Sequence, residues 1–174
     1  MRVLVFGNSG SGKSTYARAL ADRQGVPYLD LDSIVWEPNQ VAVLRSPNAI
    51  LASLEAFLTA NSKWVVEGCY GELIEAAAPA CTELAFLNPG LKVCIANNLR
   101  RPWEPHKYSS LEQQNAMLGQ LQAWVSEYYT SSNSWSYAYH RRIFAAHLGP
   151  KLEYTSLPPS PASGSDQGGE PTGV

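Results

Sequence analysis

The stretch Val3 to Thr15, VLVFGNSGSGKST, constrains this chain more than any other. Val3, Leu4, Val5 and Phe6 form an unbroken apolar run of strand-favouring character, the pattern of a strand buried on both faces. Gly7, Gly10 and Gly12 then put three glycines into six positions. Glycine costs stability inside a regular element, so this density marks backbone that turns with positive φ or approaches another group closely. A helical pattern follows from Lys13 to about Arg23, with Tyr16, Ala17, Leu20 and Ala21 on its inner face and Gly25 at its end. A buried strand followed directly by a helix calls for a second strand parallel to the first.

The glycines also define a motif. Gly7-Asn8-Ser9-Gly10-Ser11-Gly12-Lys13-Ser14 satisfies G-x-x-x-x-G-K-[ST], the Walker A or P-loop pattern, between a predicted strand and a predicted helix. Its glycines let the backbone fold around an anion with N–H groups pointing inward, and the helix that follows aims its positive end at the same point. Lys13 is expected at the β- and γ-phosphates and the Ser14 hydroxyl on Mg²⁺. The expected cofactors are ATP and Mg²⁺. The expected nucleotide-binding set is Gly7, Asn8, Ser9, Gly10, Ser11, Gly12, Lys13, Ser14 and Thr15.

Strands and helices alternate along the remaining chain. VPYLDLD reads as a second strand, KWVVEG as a third, TELAFL as a fourth and KLEYTSL as a last one. Between them, SPNAILASLEAFLTA reads as a helix with Pro47 in its first turn. GELIEAAAPA reads as a short helix stopped at Pro79, and LKVCIANNLRR as another. Leu111, Leu118, Leu121, Val125 and Tyr128 recur at helical spacing, and a final helix runs through Arg142 and Phe144. The expected fold is a three-layer α/β/α arrangement on a five-stranded parallel sheet, one domain over residues 1–156, with a lid at about 100–112. Residues 157–174 carry almost no large apolar side chain and are expected to form a disordered tail.

Ligands of such sheets bind at the carboxyl ends of the strands. Gly7, Asp30, Asp32, Glu67 and Gly68 all fall there. Strand alternation puts Asp30 and Asp32 on one side, with Leu29 and Leu31 on the other. Either acid suits Mg²⁺, and Asp32 suits an attacking hydroxyl; the structural alternative is that Asp32 or Ser33 caps a short turn. Arg100, Arg101, His106 and Lys107 lie at a helix end and in the proline-broken RPWEPHKYSS, where a mobile cover would deliver cations to phosphates; positive charge also simply favours a helix C-terminus. Trp103 and Tyr108 either shape a pocket there or pack. Arg45, Glu67 and Gly68 complete the acceptor-side candidates. The fourth strand ends in Asn88, so the acid that many P-loop ATPases carry there has to come from Asp30, Asp32 or Glu67.

Composition narrows the partners. A formal charge of −2 argues against general nucleic-acid binding. No apolar run reaches the roughly 20 residues of a membrane span. Cys69, Cys81 and Cys94 show neither metal-ligand spacing nor an even count, so reduced thiols with structural roles are expected. With Met1-Arg2 leading straight into a strand, the expected location is cytoplasmic, and the expected partners are a nucleoside triphosphate and a small-molecule acceptor.

GNSGSGKST, LDSIVW and WVVEGCY together resemble the small P-loop kinases of the adenylate and shikimate kinase type. The closer resemblance is to the adenylate-kinase-like group called DNA topology modulation proteins. It implies a substrate-binding segment after the second strand and an arginine-bearing lid after the fourth. Lys13, Ser14 and Asp32 match the implied functional positions, and Arg100 or Arg101 falls at the lid arginine. The chain departs from shikimate kinases at Gly68-Cys69-Tyr70, where they carry a run of glycines, and from adenylate kinases in its adjacent arginine pair. The resemblance therefore implies an ATP-dependent kinase and leaves the acceptor open. A nucleotide-binding regulatory ATPase and a nucleic-acid end kinase are the alternatives.

Overall fold

A computed structural model describes residues 1–37, 43–104 and 108–158. Strands β1 (Arg2–Gly7), β2 (Tyr28–Asp30), β3 (Trp64–Gly68), β4 (Glu83–Leu87) and β5 (Lys151–Tyr154) form one parallel sheet in the order β2-β3-β1-β4-β5. The helices are α1 (Lys13–Gln24), α2 (Asp32–Val35), α3 (Pro47–Ala60), α4 (Gly71–Ala77), α5 (Leu91–Leu99), α6 (Leu111–Ser126) and α7 (Tyr137–Ala146).

Strand alternation sorts the core into two layers. Leu4, Phe6, Val66, Leu84 and Phe86 face one way and pack against Ile50 and Leu54 of α3, Leu73 and Ile74 of α4 and Ile143 of α7. Val3, Val5, Val65, Ala85 and Leu87 face the other way, against Ala17, Leu20 and Ala21 of α1. This is the three-layer α/β/α fold expected from the alternating pattern. Serines start three helices by accepting a backbone N–H: Ser46 from Ala49, Ser110 from Gln113 and Ser136 from Tyr139.

Four sequence readings need correction. The second strand stops at Asp30, and Asp32 begins α2, so the two acids are not alternating strand residues. The helix LKVCIANNLRR ends at Leu99, leaving Arg100 at its C-cap and Arg101 beyond it. Pro79 falls in a 3₁₀ turn, Ala78–Ala80, that extends α4. Leu111 is exposed despite its place in the apolar stripe of α6. His106, Lys107 and the expected tail from 159 onward lie outside the described residues. Cys69, Cys81 and Cys94 are free thiols, Cys69 and Cys94 buried. Among the described residues no helix is long and apolar enough to cross a membrane.

One buried polar residue joins the layers. His140 of α7 is fully buried; its Nε2 lies 3.0 Å from the Cys69 carbonyl and its Nδ1 lies 2.7 Å from the Tyr128 hydroxyl. A carbonyl can only accept, so Nε2 carries a proton; burial disfavours a second one, which keeps the ring neutral and leaves Nδ1 to accept from Tyr128. Burial pushes its pKa down to about 4. The unfolded chain takes up this proton near pH 6.5 and the folded chain does not. His140 therefore contributes stability in full above pH 6.5 and loses it as pH falls from 6.5 to about 4, by roughly 1.4 kcal/mol per unit. Urea unfolding between pH 7 and 4.5, with the imidazole followed by NMR, checks this; a His140 ring titrating near its ordinary value would contradict it.

Candidate functional site

The loop between β1 and α1 lies where the ends of β1, β3 and β4 meet. Gly10 and Gly12 have φ of 77° and 88°, values that side chains rarely adopt. Space is as restrictive as dihedral angle. A Cβ on Gly7 would stand 2.1 Å from the Leu87 carbonyl oxygen, and one on Gly10 would stand 2.3 Å from that of Cys94. The loop is thus pressed onto β4 and α5. Two asparagines of α5 hold it: Asn97 donates to the Gly10 carbonyl at 2.8 Å, and Asn98 accepts from the Ser9 hydroxyl at 3.2 Å. Asn8 secures the other side by donating to the Val125 carbonyl at 3.1 Å. Unlike α3, α6 and α7, α1 starts at a glycine with no side-chain cap, so its first N–H groups have no such partner. Among the described residues the Ser11 hydroxyl is buried without a hydrogen-bond partner, and Lys13 donates to the Asn8 carbonyl at 3.5 Å. Ser14 is half-buried and Thr15 exposed.

Glu67 stands beside this loop at the end of β3, level with Val5 of β1 and Asp30 of β2. Only 1% of it is exposed. One carboxylate oxygen, Oε1, accepts from the Tyr28 hydroxyl at 3.0 Å, while Oε2 is buried without a hydrogen-bond partner among the described residues. Burial raises its pKa, the Lys13 charge and Ser14 hydroxyl pull it down, and Asp30 and Asp32 push it up. Gly68 keeps the same strand end close to α2, since a Cβ there would stand 2.8 Å from Leu31.

Asp32 faces a different set of partners. Its Oδ1 accepts from the Tyr70 hydroxyl at 2.6 Å, and Tyr70 in turn accepts from the Trp36 indole N–H at 2.9 Å. Asp32 does not cap α2: the cap residue is Leu31 with no side-chain bond. Asp30 takes the local structural role, accepting from the Asp32 backbone N–H at 2.9 Å and pairing with Arg18 at 3.7 Å. Ser33 donates to the Asp30 carbonyl.

The arginines separate. Arg101 lies 3.4 Å from the Ser9 hydroxyl and 3.4 Å from Glu104, whereas Arg100 is exposed. Arg101, Asn98, Glu104 and Tyr108 line a cleft closed on its other side by Met117 and Leu118 of α6. Trp103 is exposed and donates to the Tyr108 carbonyl. Arg45 donates through Nη1 to the Ile34 carbonyl at 2.9 Å and the Ser53 hydroxyl at 3.3 Å, bracing α2 against α3. Sequence reasoning passed over Tyr28, Tyr70, Asn97 and Asn98 as site residues. Tyr28 was accessible, because it precedes Asp30 by two positions and so shares its side of β2. Nothing in the sequence marks the others.

No family model matches this sequence, and no curated protein matches it. Among solved structures, it is similar to a sugar kinase from Janibacter sp. HTCC2649, with 18% identity and a TM-score of 0.47 over 87% of this chain and 84% of that one. It is similar to shikimate kinase from Aquifex aeolicus, with 16% identity and a TM-score of 0.42 over 73% and 83%. It is also similar to a gluconokinase from Sinorhizobium meliloti 1021, with 18% identity and a TM-score of 0.42 over 84% and 97%. The fold stated above rests on this chain's own strand order.

Gly10→Ala combines a disfavoured left-handed backbone, costing about 1–2 kcal/mol, with a carbonyl inside contact distance. It is expected to lower Tm by about 5 °C or more, at about 2–4 °C per kcal/mol for a chain of this size. Calorimetry checks this, and an unchanged Tm would show that the loop relaxes freely.

Proposed function

We propose that this chain is an ATP-dependent phosphotransferase that moves the γ-phosphoryl group of ATP to a hydroxyl of a small molecule. The carrying observation is the convergence of an uncapped helix start, a glycine-bound loop and a buried carboxylate oxygen without a partner at one point. Orphaned polar atoms of this kind suit a ligand that supplies both negative oxygens and a cation. The residues fit Mg²⁺ held between protein and phosphates: among the described residues there is no cluster of three His, Cys, Asp or Glu, and the Ser14 hydroxyl and Glu67 offer the few hard oxygen contacts such a site needs. When bound, Mg²⁺ neutralises charge on the β- and γ-phosphates. Glu67 takes the place that the sequence reading gave to Asp30 and Asp32, of which Asp30 pairs with Arg18 and the α2 backbone and Asp32 accepts from Tyr70.

Each remaining group has a task in this reading. The residues from Gly7 to Thr15 cradle the phosphates, and Lys13 holds the β- and γ-oxygens. Arg101, nearer the loop than Arg100, offsets charge that develops on the transferred group. Asp32 accepts the proton of the acceptor hydroxyl as its oxygen attacks the γ-phosphorus. The bond from that phosphorus to the bridging oxygen breaks, and ADP leaves with the electron pair. Tyr70 and Trp36 fix Asp32 on the acceptor side. The resemblance to the DNA topology modulation group rests on three short stretches and names no acceptor.

A panel of hydroxyl-bearing metabolites, scored by thermal shift with a non-hydrolysable ATP analogue and then by ADP release, identifies the acceptor. Lys13→Ala is expected to weaken ATP binding by at least about tenfold, the loss of one charge-assisted contact. Unchanged binding together with unchanged turnover would sink this reading. Asp32→Asn is expected to keep ATP affinity and to lower acceptor-dependent transfer by about 10²- to 10⁴-fold. Normal transfer in that variant would remove Asp32 from the chemistry, and ATP binding without any acceptor-dependent turnover would favour a nucleotide-gated regulator.

A further inference from the structure

The function proposed above uses Glu67 but not the residues behind it. On the α1 side of the sheet, Tyr28 and Asp30 of β2 lie level with Val65 and Glu67 of β3. Parallel register puts paired residues on the same face, so the Tyr28 ring runs along the sheet toward the next pleat and its hydroxyl reaches Glu67 Oε1 at 3.0 Å. The Arg18 guanidinium lies 5.6 Å over the Tyr28 ring, with its Nε 3.3 Å from the same hydroxyl. Guanidinium nitrogens only donate, so the Tyr28 oxygen accepts from Arg18 and its single proton goes to Glu67. Arg18 is itself set by Asp30 at 3.7 Å and lies one helical turn after Ser14. The direction of every bond in this chain is therefore fixed.

We propose that Tyr28, braced by Arg18, is a positioning residue that holds the Glu67 carboxylate plane so that Oε2 is presented to the cation of the bound nucleotide. The terminal torsion of a glutamate is broad and nearly two-fold, so packing alone leaves the two oxygens interchangeable. A bond to Oε1 removes that freedom and distinguishes Oε2, which has no hydrogen-bond partner among the described residues and faces the Ser14 side of the loop. The inference rests on the assignment of Glu67 to the metal side of an ATP site. Tyr28 touches neither nucleotide nor metal in this account and acts only through Glu67.

The test uses the full chain and a non-hydrolysable ATP analogue, titrated by calorimetry once with EDTA and once with saturating Mg²⁺. The ratio of the two affinities is the metal-dependent gain. Tyr28→Phe keeps the ring and removes the hydroxyl. It is expected to leave metal-free affinity within about twofold and to reduce the gain by about tenfold, the lower end for groups that orient metal ligands. Glu67→Gln is expected to reduce the gain at least as far. Arg18→Met, at an exposed position, is expected to reduce it in the same direction by a smaller factor, and it serves as the second variant if Tyr28→Phe folds poorly. A full gain in Tyr28→Phe beside a lost gain in Glu67→Gln would overturn the proposal and leave the Glu67 assignment standing. A full gain in all three would overturn both. Equal losses with and without Mg²⁺ would make Tyr28 a packing residue and likewise overturn the proposal.

Discussion

Two carbonyl oxygens, those of Leu87 and Cys94, stand where the side chains of any residue but glycine at positions 7 and 10 would begin. That contact is the constraint on which the rest of the region around the loop depends. It fixes the loop on β4 and α5, and so brings Asn97 and Asn98 into hydrogen-bond reach of Gly10 and Ser9. It lets α1 leave the loop directly at Lys13, with no residue spent on a side-chain cap. It also sets the height of Ser14 and Arg18 above β3, which decides what can reach Glu67. A packed backbone of this kind resists deformation, because interiors are near crystal density and the atoms being displaced are main chain. The glycines are therefore one steric solution shared by three elements, and their flexibility in the unfolded chain is a cost offset by the close approach they allow.

The fold was legible because its signals are local. Apolar runs marked β1, β3 and β4, Pro47 marked the first turn of α3, and Gly25 marked the end of α1. The loop was legible for the same reason, since eight consecutive residues specify it. What the sequence could not give was the allocation of charges across strands. Asp30 and Asp32 look equivalent in DLD, yet one is spent on Arg18 and a backbone N–H and the other on Tyr70. Arg45 looks available, yet it holds a carbonyl and a hydroxyl eight or more residues away. Glu67 looks like one acid among several, and only the register of β3 between β1 and β2 shows how deeply it is buried. Such pairings come from inter-strand register and helix docking, to which periodicity is blind.

The way the chain holds its carboxylates differs between the surface and the strand ends. Outside the site, Glu75 is bound by Arg142 at 2.9 Å and by the Tyr139 hydroxyl, and Glu153 by Arg141 at 2.6 Å and by the Asn88 amide at 2.9 Å. The Glu75 pair is well exposed and screened and contributes little to stability, while the Glu153 carboxylate is half-buried. At the strand ends, the bonds described to Glu67 Oε1 and Asp32 Oδ1 come from neutral tyrosine hydroxyls. Burial pushes the ionisation of Tyr28 and Tyr70 far above the ordinary range, so both remain proton donors at any physiological pH. The difference follows from what the carboxylates are for in the proposed reading. A guanidinium seated on Glu67 would satisfy its charge and compete with an incoming cation. A phenol orients the same carboxylate without adding a countercharge of its own, while burial raises its pKa and the Lys13 charge pulls it down. Arg18 is kept one bond removed: it polarises the Tyr28 hydroxyl without neutralising Glu67. The same logic places Trp36, another neutral donor, behind Tyr70 on the acceptor side. In the proposed reading the tyrosine hydroxyls on Glu67 and Asp32 orient both carboxylates, with Arg18 set behind the first tyrosine and Trp36 behind the second.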